Sequence, residues 1–305
     1  MQASSMRVAP RVFPSAVRSP VMVRRCKAQA TLKAIIFDCD GVILESEELH
    51  RRAYNDTFSH FAEDALDAEG QKGAVEWSEQ FYDKLQVGGG KPKMRWYFKQ
   101  HGWPRSAVHS GRVAGTEAEQ TELIDTLQDY KSAKYQELIG SGQVEPRPGV
   151  LRVMDEARAA GIKLAVCSAA TKSSVVYTLT SLLGQQRFDN LDCFLAGDDV
   201  DKKKPDPMIY TQAAAKLGVQ PAECVVIEDS VIGLQAAAGA GMRCIITYTS
   251  STAKEAFGGA ERIVASLGFP ANITVEELQQ GRIAQDDRIN MSTSDTEVFW
   301  HIPNQ

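Results

Sequence analysis

The chain has no apolar run long enough to cross a bilayer, which takes roughly twenty consecutive apolar residues in a helix. It has no Cys-x-x-Cys or other ligand-spaced pair among Cys26, Cys39, Cys167, Cys193, Cys224 and Cys244, so neither a zinc site nor a dithiol motif is readable. Cys39, Cys167, Cys224 and Cys244 lie in or beside apolar strand candidates, where a reduced thiol behaves as a small buried hydrophobe. A redox-regulated pair stays open, with no spacing to assign it. No acidic residue precedes Asp38, whereas Arg7, Arg11, Arg18, Arg24, Arg25 and Lys27 all do. Without the compact apolar core of a secretory signal, residues 1–30 read as an organelle transit peptide, or else as a basic arm for nucleic acid or an acidic surface. Without those six basic residues the formal charge of −5 becomes about −11. So acidic a body is ill suited to nucleic acid, and an anionic substrate must be held by local positive charge.

What is present is organised around Ile35-Ile36-Phe37-Asp38-Cys39-Asp40-Gly41. Ala34 to Phe37 reads as a strand buried on both faces of a parallel sheet, and such sheets carry their functional groups past the strands' carboxyl ends. Asp38 and Asp40 stand there, with a glycine that lets the backbone turn. Two carboxylates so spaced either share a site with a divalent cation, which offsets their repulsion, or bond to local turn amides.

From Ser46 the pattern turns helical. Ser46-Glu47-Glu48 starts a helix with Leu49, Ala53, Phe58 and Phe61 near one face, and Asp64 to Gly73 reads as a polar loop. Gly89-Gly90-Lys91-Pro92-Lys93-Met94-Arg95 reads as a basic glycine loop. Thr116-x-x-Glu119 has capping-box spacing and opens a long helix with Leu123, Leu127 and Tyr130 inward. Pro146-Arg147-Pro148-Gly149 then returns the chain to alternating helices and strands, with strands expected at 162–167, 191–195, 224–227 and 244–247. The expected architecture is α/β: a doubly wound, Rossmann-like parallel sheet from residues 31–45 and 146–269, with an inserted helical cap at 46–145. Residues 270–305 read as a C-terminal tail of unknown role.

Three strands end in polar groups, Asp38 with Asp40, Ser168, and Glu228 with Asp229, and Lys204 follows in Lys-Lys-Lys-Pro-Asp-Pro. This set, in this order, resembles the four motifs of the haloacid dehalogenase-like hydrolase superfamily over Leu32 to about Thr249. The resemblance implies Asp38 as nucleophile through an aspartyl-phosphate, and Asp40 as general acid and then base. It further implies Ser168 as a phosphoryl hydrogen-bond donor and Lys204 as stabiliser of the transferring group. Mg²⁺ is implied on Asp38, the Asp40 carbonyl, Glu228 and Asp229. Displacing a halide needs no proton, so an acid at Asp40 favours phosphate-ester cleavage over dehalogenation.

The cap must carry substrate choice, because the four motifs handle the phosphoryl group. Gly89, Gly90, Lys91 and Arg95 are the basic candidates, though solvated charges at a helix start give the same pattern. Glu47 and His50 stand at the core-to-cap junction. The first motif, the Gly-Gly-Gly-Lys-Pro-Lys-Met-Arg block, Cys167 to Ser174 and Ile227 to Gln235 together look like the plant and algal CbbY proteins. That likeness implies removal of the 1-phosphate from xylulose-1,5-bisphosphate, a Rubisco inhibitor, in the chloroplast stroma. It also implies that Glu47 and the Gly90 to Arg95 stretch recognise the sugar, with Ser168, Ala169, Ala170, Thr171 and Lys172 at the phosphoryl end. A β-phosphoglucomutase-like phosphomutase and a catalytically idle binding module are the alternatives.

Overall fold

The structure, a computed structural model, describes residues 30–61, 75–85, 87, 89–281 and 285–290. The basic leader, Cys26 and the 64–73 stretch therefore lie outside the described residues. In chain order the elements are β1 (Ala34–Phe37), α1 (Ser46–Phe61), α2 (Glu79–Lys84), α3 (Gly90–His101), β2 (Arg105–Ser106), β3 (Arg112–Val113), α4 (Glu117–Gly140), α5 (Val150–Ala159), β4 (Lys163–Cys167) and α6 (Lys172–Leu183). They continue as α7 (Gln185–Asp189), β5 (Cys193–Leu195), α8 (Met208–Leu217), β6 (Cys224–Glu228), α9 (Val231–Gly239), β7 (Arg243–Thr247), β8 (Arg262–Val264), α10 (Val275–Gln280) and β9 (Gln285–Asp286).

The main sheet runs β5-β4-β1-β6-β7-β8-β9, and all its pairings are parallel. β1 is fully buried, and its side chains alternate between two cores: Ile35 and Phe37 join one, Ala34 and Ile36 the other. The chain leaves β1 toward β4 and β5, then crosses to β6 on the opposite side. Strand order thus reverses at β1, and such a switch point opens a crevice at the strands' carboxyl ends. Cys39, Cys167, Cys193, Cys224 and Cys244 are buried and unpaired.

The helices α1 to α4 enclose a third apolar cluster of their own, with Tyr54, Phe58, Trp77, Phe98, Leu123 and Leu127. Thr116 and Glu119 form the expected capping box at the start of α4. The Gly89 to Arg95 stretch is not a loop: Gly90 to Arg95 are the first turns of α3, where Pro92 is tolerated because first-turn amides need no helical partner. A Cβ on Gly90 would lie 1.9 Å from Gln128 Oε1, so a larger residue there would have to turn the Gln128 amide aside.

The sheet also reaches past the expected end of the core at Phe269. Ile273, Val275 and Leu278 belong to the same apolar cluster as Phe37, and burying each such side chain stabilises the fold by about 1.5–3 kcal/mol. Glu156 on α5 accepts the Val275 amide at 3.1 Å, and Arg152 donates to the Leu267 and Ile273 carbonyls at 2.9 and 2.8 Å. Residues 270–290, where described, are part of the α/β layer because their few apolar side chains find this prepared face.

Candidate active site

β1 delivers Asp38, whose amide bonds the Ile227 carbonyl of β6 at 2.9 Å, and the chain turns at once. The turn is closed by Gly41 N–H to the Leu44 carbonyl at 2.8 Å and Ile43 N–H to the Cys39 carbonyl at 2.9 Å. Gly41 has φ +77°, and a Cβ there would stand 2.1 Å from Asp229 Oδ2. Glycine therefore brings the first acidic loop against the second. Gly41→Ala should displace the Asp229 carboxylate and add about 1–3 kcal/mol of backbone strain, read as a lower melting midpoint together with lost activity.

Lys204 is the lysine of its triplet that turns inward. Its Nζ donates to Asp38 Oδ1 at 2.5 Å, Glu228 Oε1 at 2.7 Å and the Cys167 carbonyl at 3.2 Å, which uses all three of its protons. Lys202 pairs outward with Asp206, and Lys203 reaches the Ala169 carbonyl from the surface. Glu228 is boxed in. Its Oε1 also accepts from the Tyr210 hydroxyl at 2.5 Å, and its Oε2 accepts from the Asp229 amide at 3.1 Å and Ser230 Oγ at 3.4 Å. A Cβ on Gly233 would fall 1.9 Å from its carboxyl carbon, so the third residue of α9 must be a glycine.

Asp38, Glu228 and Asp229 each bring one carboxylate oxygen within 4.8 Å of the others. Burial pushes the Asp38 carboxyl up to about 8; Lys204 opposes the rise, while Glu228 and Asp40 add to it. Asp229 is raised in the same way, first by burial and then by Glu228 and Asp38. Three crowded carboxylates against one ammonium leave the site short of positive charge. Hard oxygen donors in that state fit a divalent cation such as Mg²⁺.

Ser168 directly follows β4 and is fully buried, with its Oγ 3.5 Å from Asp40 Oδ2 and accepting the Ala170 amide at 3.1 Å. Burial raises the Asp40 carboxyl above its usual range, against the pull of a Ser46 hydrogen bond, Lys204, Ser168 and Lys131. An acid so placed favours holding its proton. Ala169, Thr171 and Lys172 are exposed beside it, and Lys172 is pinned through its amide to Asp198 and through Nζ to Asp199, both at 2.8 Å.

On the helical side the structure separates the basic candidates. Lys91 pairs with Asp125 at 2.9 Å, and Arg95 bonds Glu117 at 2.7 Å and Thr121 at 2.9 Å, so both brace α3 on α4. The cations that converge on Glu47 are Lys93, one of the three in the Gly90 to Arg95 stretch, and Lys131, which the sequence reading does not single out. Lys131 Nζ meets His50 Nδ1 at 2.8 Å and lies over the Tyr54 and Tyr135 rings at 4.9 and 5.0 Å. Burial lowers Lys131 to about 8, with Glu47 opposing, Lys93 adding and Asp40 opposing. His50 is driven well below its usual range by burial, then by Lys131 and Lys93, so its neutral ring accepts the ammonium proton. Lys93 lies over the Tyr82 ring at 4.3 Å, and the Tyr82 hydroxyl bonds Glu47. Lys131 sits mid-helix among polar neighbours, and only its recurrence one turn before the inward Tyr135 hinted at its face.

The family model of the haloacid dehalogenase-like hydrolases matches residues 32–241. The chain belongs to that family. A haloacid dehalogenase-like hydrolase domain-containing protein of Arabidopsis thaliana is 57% identical over 267 residues, 87% of this chain and 82% of that protein. CbbY of Rhodobacter capsulatus is 34% identical over 248 residues, 81% of this chain and 99% of its own. Among solved structures, Rhodobacter sphaeroides CbbY in complex with xylulose-(1,5)-bisphosphate matches with TM-score 0.60 at 32% identity, covering 80% of this chain and 100% of that one. With such relatives and this site, the chain is an enzyme, a phosphatase of the haloacid dehalogenase-like hydrolase family.

Proposed function

We propose that the chain is a Mg²⁺-dependent sugar-bisphosphate phosphatase that removes the 1-phosphate of xylulose-1,5-bisphosphate and leaves xylulose 5-phosphate. The observation that carries this reading is Asp40, a half-buried, proton-favouring acid two residues from Asp38 and faced from the helical side by Lys131. In this reading Asp38 attacks phosphorus, and Asp40 protonates the departing sugar oxygen. Asp40 then takes a proton from the water that hydrolyses the aspartyl-phosphate. Lys204 keeps Asp38 oriented for attack, and Ser168 with the amides beyond it receives the phosphoryl oxygens. Asp38, the Asp40 carbonyl, Glu228 and Asp229 would hold the Mg²⁺. When bound, the ion supplies charge neutralisation between two anions that otherwise repel.

Residues 46–145 form the cap, and Glu47 and His50 with Lys93 and Lys131 contact the sugar and its second phosphate. Lys91, Arg95, Gly89 and Gly90 support that surface by fixing α3. The bisphosphate bound to the related CbbY supports the substrate, and the plant relatives with the basic leader support a chloroplast stromal setting.

The test is phosphate release, with Mg²⁺, across xylulose-1,5-bisphosphate, ribulose-1,5-bisphosphate, fructose bisphosphates and β-glucose 1-phosphate. The xylulose compound should be strongly preferred, and equal rates on all four would remove it as the substrate. Lys131→Met should raise KM for the bisphosphate about 10- to 100-fold, the worth of one hydrogen bond to a charged group, and leave p-nitrophenyl phosphate nearly unaffected. Equal losses on both would take Lys131 out of sugar recognition.

A further inference from the structure

Arg147 belongs to none of the motifs above, yet its side chain is only 4% exposed. It stands on the linker that returns the chain from the cap to the α/β core. Its amide donates to the Ile43 carbonyl at 2.8 Å, which joins the returning linker to the outgoing one. The guanidinium then gathers carbonyls from that same outgoing turn and from two further segments. Nη1 donates to Gly41 O and, at 2.9 Å, to Thr247 O; Nη2 donates to Tyr248 O at 2.7 Å and Ala265 O at 2.5 Å. Nη1 also reaches Thr247 Oγ1 at 3.4 Å, and Nε lies 3.6 Å from Glu45 Oε2. Only a planar fork of several fixed donors can meet so many acceptors at once; a lysine offers three protons from one point.

The contact with Gly41 gives this cluster its consequence. A side chain that merely sealed the end of the sheet would need the carbonyls of Thr247, Tyr248 and Ala265 and nothing more. Arg147 also holds the carbonyl of the residue whose backbone lies against Asp229 and which directly follows Asp40. We infer that Arg147 is a positioning residue: by clamping the Gly41 carbonyl it holds the 38–41 loop against Asp229 and couples both cap linkers to the metal-binding carboxylates. The inference rests on the Mg²⁺ reading above.

Arg147→Lys keeps the charge and loses the fork. The Mg²⁺ concentration for half-maximal hydrolysis of p-nitrophenyl phosphate should rise about 10- to 100-fold, as when other outer partners of metal ligands are removed. KM for the ester at saturating Mg²⁺ should stay unchanged. Calorimetric titration of Mg²⁺ into the substrate-free protein should show the same loss of affinity, whereas Glu45→Gln, which leaves the fork intact, should show none. In the wild-type protein, Mg²⁺ should also slow hydrogen exchange of the Arg147 amide, which touches no metal donor. A folded Arg147→Lys protein with unchanged Mg²⁺ affinity overturns the inference, and so does an Arg147 amide whose exchange ignores Mg²⁺. A wild-type protein with no Mg²⁺-dependent ester hydrolysis instead overturns the functional reading beneath it.

Discussion

Asp38→Asn should abolish phosphate release from sugar bisphosphate, with a loss on the order of 10⁴- to 10⁶-fold, while the protein stays folded. The loss follows from the chemistry: an amide cannot attack phosphorus, and Asp40, the other carboxylate at that strand end, is the acid and base of the reaction and not its nucleophile. The retained fold follows from the electrostatics. Burial raises the Asp38 carboxyl to about 8, from an ordinary value near 3.8. A carboxyl whose folded value is raised favours folding in its protonated form, so in metal-free protein its contribution to stability falls as pH climbs from about 4 to 8. Asparagine removes that penalty and keeps the shape. Thermal melts of the metal-free proteins should therefore show the variant at least as stable as wild type near pH 8, and a deeply destabilised variant would show that the Lys204 pair outweighs the burial of charge.

Asp40→Asn should give the second large effect, and it should depend on the leaving group. A sugar alkoxide needs a proton to depart, so turnover of sugar phosphates should fall about 10²- to 10⁴-fold. Nitrophenolate leaves without one. With p-nitrophenyl phosphate the variant should release about one equivalent of phenolate in a burst and then slow sharply, because the aspartyl-phosphate still lacks its base. Rapid-mixing absorbance would record this, and steady turnover of sugar phosphate by the variant would remove Asp40 from both roles.

The parallel core was legible because its strands are short apolar runs that stop abruptly at charged or polar residues, which is how strands buried on both faces must end at a site. The long fourth helix announced itself through Thr116 and Glu119. What stayed hidden depends on approach between distant segments. The Gly-Gly-Lys-Pro stretch reads as a loop until α3 is seen to start at Gly90 and pack against Gln128 of α4. Lys91 and Arg95 look like substrate cations until their acidic partners on α4 are in place, and Lys131 looks like a surface lysine until three aromatic and imidazole rings surround it. Arg147 looks like punctuation between prolines until the carbonyls of Gly41, Thr247, Tyr248 and Ala265 close around it. The helix after Thr274 carried its own capping-box signal with Glu277, which was available in the sequence and would have extended the core past Phe269.

The most direct test of the whole account is to mix the protein with Mg²⁺ and xylulose-1,5-bisphosphate labelled at the 1-phosphate, quench in acid within one turnover, and map the label. The account predicts transient label on Asp38 that passes to inorganic phosphate, with none on Asp38→Asn protein and none moved to another sugar hydroxyl. Label that returns to the sugar would contradict it in favour of a phosphomutase, and free phosphate released with no labelled protein at any time would contradict the aspartyl-phosphate itself.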